Sequence, residues 1–445
     1  MMQSLPGSRR TFLKQAVTVG VAGPFFVRNL LSVPPGSTVR LGSFGADNMA
    51  WSTLDGIARH AKVKLVCAAE VDSSRLTKLK DKFPEARNYQ DWREMLRKER
   101  HNLDAVCVGT PDHMHAPTAM SSMQLGLHVY GQKPLGHDIF ECRKLMEMAA
   151  RKKLITQMGI HIHSAAEYKT AVALVHAGAI GKVREVHSWS NKKWGDTDLV
   201  PDRADPVPPS LNWDYWIGTA VLRPYLGNGY YHPINWRKRQ DFGTATFGDM
   251  GCHIFDPVFE AVQLTAPISV RSEGPAPGQH NWALNSIIHY VFPGTPMTEG
   301  KTVNVSWYDG DERPPQEIQV LLGTRKLPDQ GSILVGSNGS MLLPHVAMPV
   351  LLPEQQFEGF TPPPQEAGNH YFQFVEAILG NGRTTTAFEY SAPLTESVLL
   401  GPIATRFPRT TLEWNAKKMH FTNSAEATRF VKRKYRAGWT VRGLS

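Results

Sequence analysis

From residue 38 onward, short apolar and β-branched runs alternate with stretches whose apolar positions recur every three or four residues. This is the pattern of a parallel sheet flanked by helices. Strands are predicted over residues 38–44, 63–70, 105–109, 128–130 and 155–158, with helices between them over 49–59, 73–82, 92–99, 117–125 and 139–152. The rhythm then changes. One further helix, 165–177, is stopped by Gly178, and residues 183–190 alternate as a half-buried strand does. Pro206, Pro208, Pro209, Pro224 and Pro233 exclude regular helix between residues 201 and 236, so long loops laid over a sheet are expected there. Alternating runs at 282–292, 302–307 and 317–322 predict a mainly antiparallel sheet. The predicted class is α/β plus α+β: a doubly wound parallel sheet over residues 37–158, followed over 159–445 by a substrate and oligomerisation domain built on a large open sheet.

Composition narrows the function classes. The chain has 445 residues, 41% hydrophobic and 20% charged, enough for two cores of ordinary size. The formal charge of +9 suggests an acidic partner, but Arg9, Arg10, Lys14 and Arg28 crowd the first segment and the remaining positives are dispersed. Short basic clusters at 236–239 and 432–436 read as solvated faces, so nucleic acid is not an expected partner. Ser8-Arg9-Arg10-Thr11-Phe12-Leu13-Lys14, followed by an apolar run broken by Gly20, Gly23 and Pro24, resembles a twin-arginine export signal. That run is too short to cross a bilayer, which takes about 20 residues, so no stable transmembrane span is expected. Residues 1–36 are therefore assigned to signal and linker. The twin-arginine machinery is an expected partner and the periplasm the expected location, with a membrane anchor if the signal is not cleaved. Cys67, Cys107, Cys142 and Cys252 form no CxxC pair, and neither a disulfide framework nor a metal site is expected.

A turn between strand and helix is where a dinucleotide's pyrophosphate sits, because free amides and the helix dipole favour anions. Here that turn reads Gly45-Ala46-Asp47-Asn48-Met49-Ala50. Against G-x-G-x-x-G/A, the first glycine and the final alanine match, but Asp47 replaces the middle glycine. A carboxylate ~4.5 Å from a phosphate would repel it by roughly 4 kcal/mol at an effective dielectric of 20. The second strand ends at Glu70, where an acid can accept the hydrogen bonds of an adenosine ribose and repel a 2′-phosphate, which favours NAD over NADP.

The next blocks are more specific. Thr110-Pro111-Asp112-His113-Met114-His115 follows one apolar strand, and Gly131-Gln132-Lys133-Pro134 follows another. They resemble the TPxxxH and EKP motifs of the Gfo/Idh/MocA oxidoreductase family. Trp213-Asp214-Tyr215-Trp216-Ile217-Gly218, Gly248-Asp249-Met250-Gly251-Cys252-His253 and Glu413-Trp414-Asn415 are similar to its exported members, of the glucose–fructose oxidoreductase and inositol dehydrogenase type. The resemblance implies a Rossmann-type nucleotide domain in which Gly45, Ala46, Asp47, Asn48, Met49, Glu70, Arg75, Thr110, Pro111, Asp112, His113, His115, Gln132 and Lys133 hold NAD. It implies that Lys133 lies beside the reacting hydroxyl and that Asp249 and His253 form the family's D-x-x-x-H pair.

At i and i+4 on one helical face, that carboxylate can orient the imidazole, which takes the hydroxyl proton. Gln132 replaces the family's glutamate and is expected to leave Lys133 short of one negative neighbour. His161, His163, Trp236, Arg237 and His253 are the candidate substrate contacts. Trp213, Trp216, Trp236, Tyr230 and Tyr231 either face a sugar ring or anchor a loop.

The expected reaction is hydride transfer between NAD and a secondary alcohol of a sugar, glycoside or cyclitol, with the cofactor held tightly because an exported enzyme has no cytosolic pool to draw on. Two alternatives stand beside it. One is glycoside hydrolysis by transient sugar oxidation and elimination; the other is a redox-silent sugar-binding protein that has lost cofactor affinity through Asp47. A homo-oligomer joined through the open sheet face is expected, because that face would otherwise expose apolar surface.

Overall fold

A computed structural model describes residues 37–362 and 364–445; the predicted export signal lies outside the described residues. Strands β1 (Val39–Phe44), β2 (Val63–Ala69), β3 (Arg87–Tyr89), β4 (Ala105–Val108), β5 (His128–Gly131) and β6 (Thr156–Met158) form a parallel sheet in the order β3-β2-β1-β4-β5-β6. Helices α1 (Asn48–Ala58), α2 (Thr77–Lys82), α3 (Trp92–Glu99), α4 (His115–Gln124) and α5 (Ile139–Lys152) connect them. The boundaries follow local chemistry. Asp91 caps α3 by accepting from the Arg93 amide, and α5 opens with a reciprocal capping box between Asp138 and Glu141. Short β3, which no apolar run announces, is a polar edge strand. The strand order reverses direction between β1 and β4, and the carboxyl ends of the strands flanking such a point border a crevice.

The second sheet has nine strands: β7 (Val183–Ser190), β8 (Ser269–Ser272), β9 (Ile287–Pro293), β10 (Thr302–Asp309), β11 (Gln330–Gly336), β12 (Gly339–Pro344), β13 (Val350–Leu352), β14 (Leu412–Asn415) and β15 (His420–Phe421). Their order is β13-β12-β11-β7-β10-β9-β8-β14-β15, antiparallel throughout except for β7 with β10. Helices in this half are α6 (Ala166–His176), α7 (Trp213–Ile217), α8 (Ala245–Val262), α9 (Gln316–Gln319), α10 (His370–Ile378), α11 (Phe388–Thr405) and α12 (Ala425–Thr428). Val186, Val305 and Trp307 from the inner face of the sheet share one core with Phe247 and Phe255 of α8 and with Leu394 and Val398 of α11.

Three departures from the sequence pattern have physical causes. Residues 317–322 are helical rather than extended: Pro315 precedes α9, a 3₁₀ turn over Val320–Leu322 follows, and Ile318 and Leu322 bury one face at helical spacing. They pack on Trp189, Tyr308 and Ile333, so part of the sheet's outer face, predicted open, is covered by the chain itself. The extended run starting at 282 begins as loop and becomes strand only at Ile287. Finally, α10 returns to the first half, where Phe374, Val375 and Ile378 join Leu54 and Ile57 of α1 in the core beneath the parallel sheet. The proline-rich stretch is mostly irregular, but the short helix α7, capped by Asn212, interrupts it where no proline falls; a core of its own pins it, in which Trp213 stacks on Trp216 at 4.8 Å and Tyr231 and Phe242 close the cluster.

Candidate functional site

A cavity of about 560 Å³ opens where β1, β2, β4 and β5 end, and is roofed by loop residues around Trp194 and Ile234 and by one face of α8. At its nucleotide-binding end, Gly45 has φ +97°, and a Cβ there would stand 2.7 Å from the Ala50 Cβ. A Cβ on Gly109 would stand 2.5 Å from the Ala50 Cα. Strand ends and α1 thus meet more closely than a side chain allows. Asn48 follows at φ +50°, a left-handed conformation that asparagine tolerates, and no side chain caps α1 further in, which leaves the Met49 and Ala50 amides for a ligand.

Asp47 carries the correction at this end. Its carboxylate pairs with Arg75 Nη1 at 2.7 Å and Lys78 Nζ at 3.3 Å. Partial burial opposes ionisation, but the Asn48 amide and these two cations hold the carboxyl below its usual range. The charge expected to repel a pyrophosphate is therefore matched by two positive partners. Arg75 also meets His232, Nε to Nε2 at 2.9 Å, a contact that ties the second half's loop to the turn. Glu70 is buried and raised in pKa by that burial; its Oε2 accepts the Ala46 amide and its Oε1 the Asp72 amide, each at 3.0 Å. It braces the turn, and each oxygen keeps a second lone pair. Ala46 itself is buried and contributes backbone only.

At the other end, Asp249 projects from α8 into a set of donors. Lys133 Nζ lies 2.7 Å from its Oδ1 and 2.7 Å from its backbone carbonyl; Arg237 Nε lies 3.2 Å from Oδ1; Trp194 Nε1 donates to Oδ2 at 2.7 Å. Burial alone would raise this carboxyl, yet Lys133 and Arg237 hold it far below the usual range. Asp249 thus anchors Lys133; among the described residues it makes no hydrogen bond to His253, although the two lie close enough to interact electrostatically. His253, one helical turn on, lines the cavity with its Nδ1 buried and unpartnered among the described residues. Burial, and then Lys133, push its pKa well below the ordinary histidine range, which keeps the imidazole neutral. The rings of His161 and His345 stand 6.2 and 6.0 Å from that of His253. No motif marks Trp194, His232 or His345; their places are set by loops that are distant in sequence.

The remaining predicted residues divide. Met49, Pro111, Asp112, Gln132 and Trp236 line the cavity, as does Thr110, whose hydroxyl is buried with no partner among the described residues. Burial raises the Asp112 carboxyl, which accepts from Thr244 at 2.7 Å. Gln132 does not neighbour the Lys133 ammonium: its Nε2 donates to Thr53 Oγ1 at 2.7 Å, and Asp249 supplies the negative partner instead. His115 joins the carbonyls of Pro134 and Thr110, each at 2.7 Å. His113 and His163 lie away from the cavity. His113 is wholly buried, with its Nε2 against the Trp216 carbonyl, and His163 pairs with Asp256 at 2.9 Å beneath Tyr390. His161 is exposed at the margin. Arg237 lies over the Trp236 ring at 4.2 Å, and Trp213 and Tyr231 are loop anchors.

These features fit a dinucleotide: a close glycine-bordered turn, the Met49 and Ala50 amides at the helix start, matched charge at Asp47 and a Thr110 hydroxyl with no partner among the described residues. Comparison with known proteins gives the same result. Residues 39–160 match the Gfo/Idh/MocA model described as an oxidoreductase family with an NAD-binding Rossmann fold, and residues 177–294 match the family's C-terminal alpha/beta domain. The chain is 20% identical over 230 residues to levoglucosan dehydrogenase of Pseudarthrobacter phenanthrenivorans, covering 52% of this chain and 46% of that protein. It is 24% identical over 244 residues to a glycosyl hydrolase family 109 protein of Shewanella pealeana, covering 45% and 51%. The chain spans about half the length of the curated relatives it matches. The crystal structure of the WlbA dehydrogenase from Bordetella pertussis, in complex with NADH and UDP-GlcNAcA, shares the fold with a TM-score of 0.60 at 14% identity, over 85% of this chain and 99% of that one. The two family matches, taken with the strand order and the glycine-bordered turn, make this chain a member of the Gfo/Idh/MocA oxidoreductase family, with an NAD-binding Rossmann domain followed by the family's C-terminal α/β domain.

Proposed function

We propose that this chain transfers a hydride between NAD and a secondary alcohol of a sugar, glycoside or cyclitol in the cavity between its two sheets. The observation that carries this reading is the placing of a buried ammonium, Lys133, and a neutral imidazole, His253, at the end of a cavity whose other end is the nucleotide-binding turn. NAD, when bound, supplies the hydride acceptor or donor. The chain's residues do the rest. His253, uncharged at neutral pH, takes the hydroxyl proton. Lys133, fixed by Asp249, donates a hydrogen bond to the oxygen that gains negative character, and Arg237 and Trp194 keep Asp249 in place. Arg75 sits where it can meet phosphate charge, and Trp236 offers an aromatic face to the substrate.

The test is Lys133→Met and His253→Gln in the purified protein, with bound nucleotide measured alongside turnover. Each variant should lose turnover by at least about 100-fold, the usual scale of acid–base assistance, while keeping its NAD. Retained turnover in either would remove that residue from its role.

Glycoside hydrolysis through transient oxidation is the second reading, favoured by the likeness to the glycosyl hydrolase family 109 protein. Release of aglycone without net NADH would select it; accumulation of a keto-sugar would select the dehydrogenase. The redox-silent alternative loses its main support, because Asp47 is paired with Arg75 and Lys78. Export by the twin-arginine route to the periplasm, and assembly into a homo-oligomer through the part of the second sheet's outer face not covered by residues 316–322, complete the proposal. The first rests on the Arg9-Arg10 motif and the second on half-exposed Val291 and His289 of β9.

A further inference from the structure

A second cavity, of about 280 Å³, lies apart from the first, between α11, the 429–434 segment and the loop at Val221. Ile139, Leu399, Ile403 and Trp282 give it an apolar wall, the rest of the lining is polar or charged, and the charges are not balanced. Arg406 reaches into it half-buried, lying 4.8 Å over the Trp282 ring and 4.4 Å over that of Phe430, with a single side-chain hydrogen bond, to Gln240 Oε1 at 2.6 Å. Among the described residues no carboxylate comes within ion-pair distance of Arg406, Arg429 or Lys434, and burial lowers the Arg406 pKa to about 10.

The acidic groups present are already engaged. Asp241 pairs with Arg223, and Asp138 accepts the Arg433 amide at 3.0 Å beside the Arg433–Glu141 ion pair at 2.8 Å. His137, whose Nε2 is buried without a hydrogen-bond partner among the described residues, also borders the cavity. A half-buried guanidinium with no ion-pair partner, on which Asp241 acts only from beyond ion-pair distance, is a costly arrangement, and one that an anionic ligand would relieve. The basic cluster at 432–436 is thus only in part a solvated face.

We propose that this cavity binds a small organic anion: a carboxylate or phosphate monoester whose charge meets Arg406, with Arg429 and Lys434 at the rim, and whose ring lies against Trp282 and Phe430. Its volume suits a single ring with its anionic group. The site is independent of the nucleotide cavity; Thr244, whose hydroxyl donates to Asp112, stands in the wall between the two.

The experiment is isothermal titration of the purified full chain with phenyl phosphate, benzoate and inorganic phosphate at low and high NaCl. One equivalent of phenyl phosphate or benzoate should bind, more tightly than inorganic phosphate and more weakly in salt, and the better of the two names the anion class. Arg406→Gln should weaken that binding at least tenfold, and the paired rim change Arg429→Gln with Lys434→Gln severalfold; the rim variant carries the test if Arg406→Gln does not fold. Arg75→Met, in the nucleotide cavity, should leave it unchanged. The proposal is overturned if none of the three probes binds at millimolar concentration, if binding survives both sets of changes, or if Arg75→Met abolishes it.

Discussion

Replacing Asp249 by Asn preserves the side chain's size and removes the charge on which the reacting end of the cavity is built. That carboxylate receives Lys133 and Trp194 at 2.7 Å and Arg237 at 3.2 Å, and the Lys133 and Asp249 side chains are 9% and 14% exposed, so water screens the pair little. Breaking a buried ion pair costs about 3–5 kcal/mol, because the remaining charge is stranded. The amide oxygen of Asn still accepts one hydrogen bond, which returns about 1 kcal/mol. A net loss of about 2–4 kcal/mol follows, equivalent to a fall in Tm on the order of 5 °C for a chain of this size.

Because the pair is withdrawn from solvent, the loss should persist in 0.5 M NaCl, where a surface pair's contribution would vanish. Turnover should fall by at least about 100-fold, since the ammonium is no longer anchored where it meets the substrate oxygen. Thermal unfolding at two salt concentrations, run beside a turnover assay, checks both. A variant that melts within about 1 °C of the parent and turns over at the parental rate would refute the idea that Asp249 holds this site together.

Three further outcomes follow from the same geometry. Asp47→Asn frees Arg75 and Lys78 from their carboxylate, so NAD affinity measured by titration of nucleotide-free protein should rise by a few fold, in keeping with about 1 kcal/mol for a partly exposed pair; weaker binding would mean that Asp47 itself contacts the nucleotide. Gly109→Ala places a methyl 2.5 Å from the Ala50 Cα and should cost about 1–3 kcal/mol in stability together with most NAD binding; unchanged affinity would show that the turn relaxes. His163 is buried, which lowers its pKa, but Asp256 outweighs this and raises it above the ordinary 6.5. The His163–Asp256 contribution to stability is therefore full below pH 6.5 and lost as pH rises through the raised value. His163→Phe should flatten that limb of the stability curve, and an identical pH profile in variant and parent would contradict the pairing.

The parallel sheet was legible because β4 is an unbroken, fully buried apolar run and β1, β2 and β5 are largely apolar between turn residues, interrupted by Arg40 and Ser43, by Lys64 and by His128. Strand β3 was not, since Arg87 and Asn88 are exposed at a sheet edge and carry no apolar signal. Residues 317–322 show how a short run is read in two ways: alternate apolar positions suggest a strand, while Ile318 and Leu322 are also one helical turn apart, and the neighbouring Pro315 and Gly323 settle the matter in the folded chain. In the site, strand-end residues such as Gly45, Thr110 and Lys133 were accessible from motif and position. The partner of Asp249 was not. Helical spacing pointed to His253, whereas the cation that reaches it comes from the end of β5, and such a contact across the cavity has no periodicity to betray it. Trp194, His232 and His345 escaped notice for the same reason, as did the pairing that neutralises Asp47.

The central claim is that NAD occupies the cavity at the carboxyl ends of the parallel strands, and its most direct test is nucleotide content. Purified protein is denatured, the released nucleotide is identified by mass and absorbance, and the stripped, refolded chain is titrated with NAD. About one NAD per chain, retained at purification or regained on titration and lost in Gly109→Ala, is the predicted result. Protein that releases no nucleotide and gives no binding when NAD is added would contradict the account.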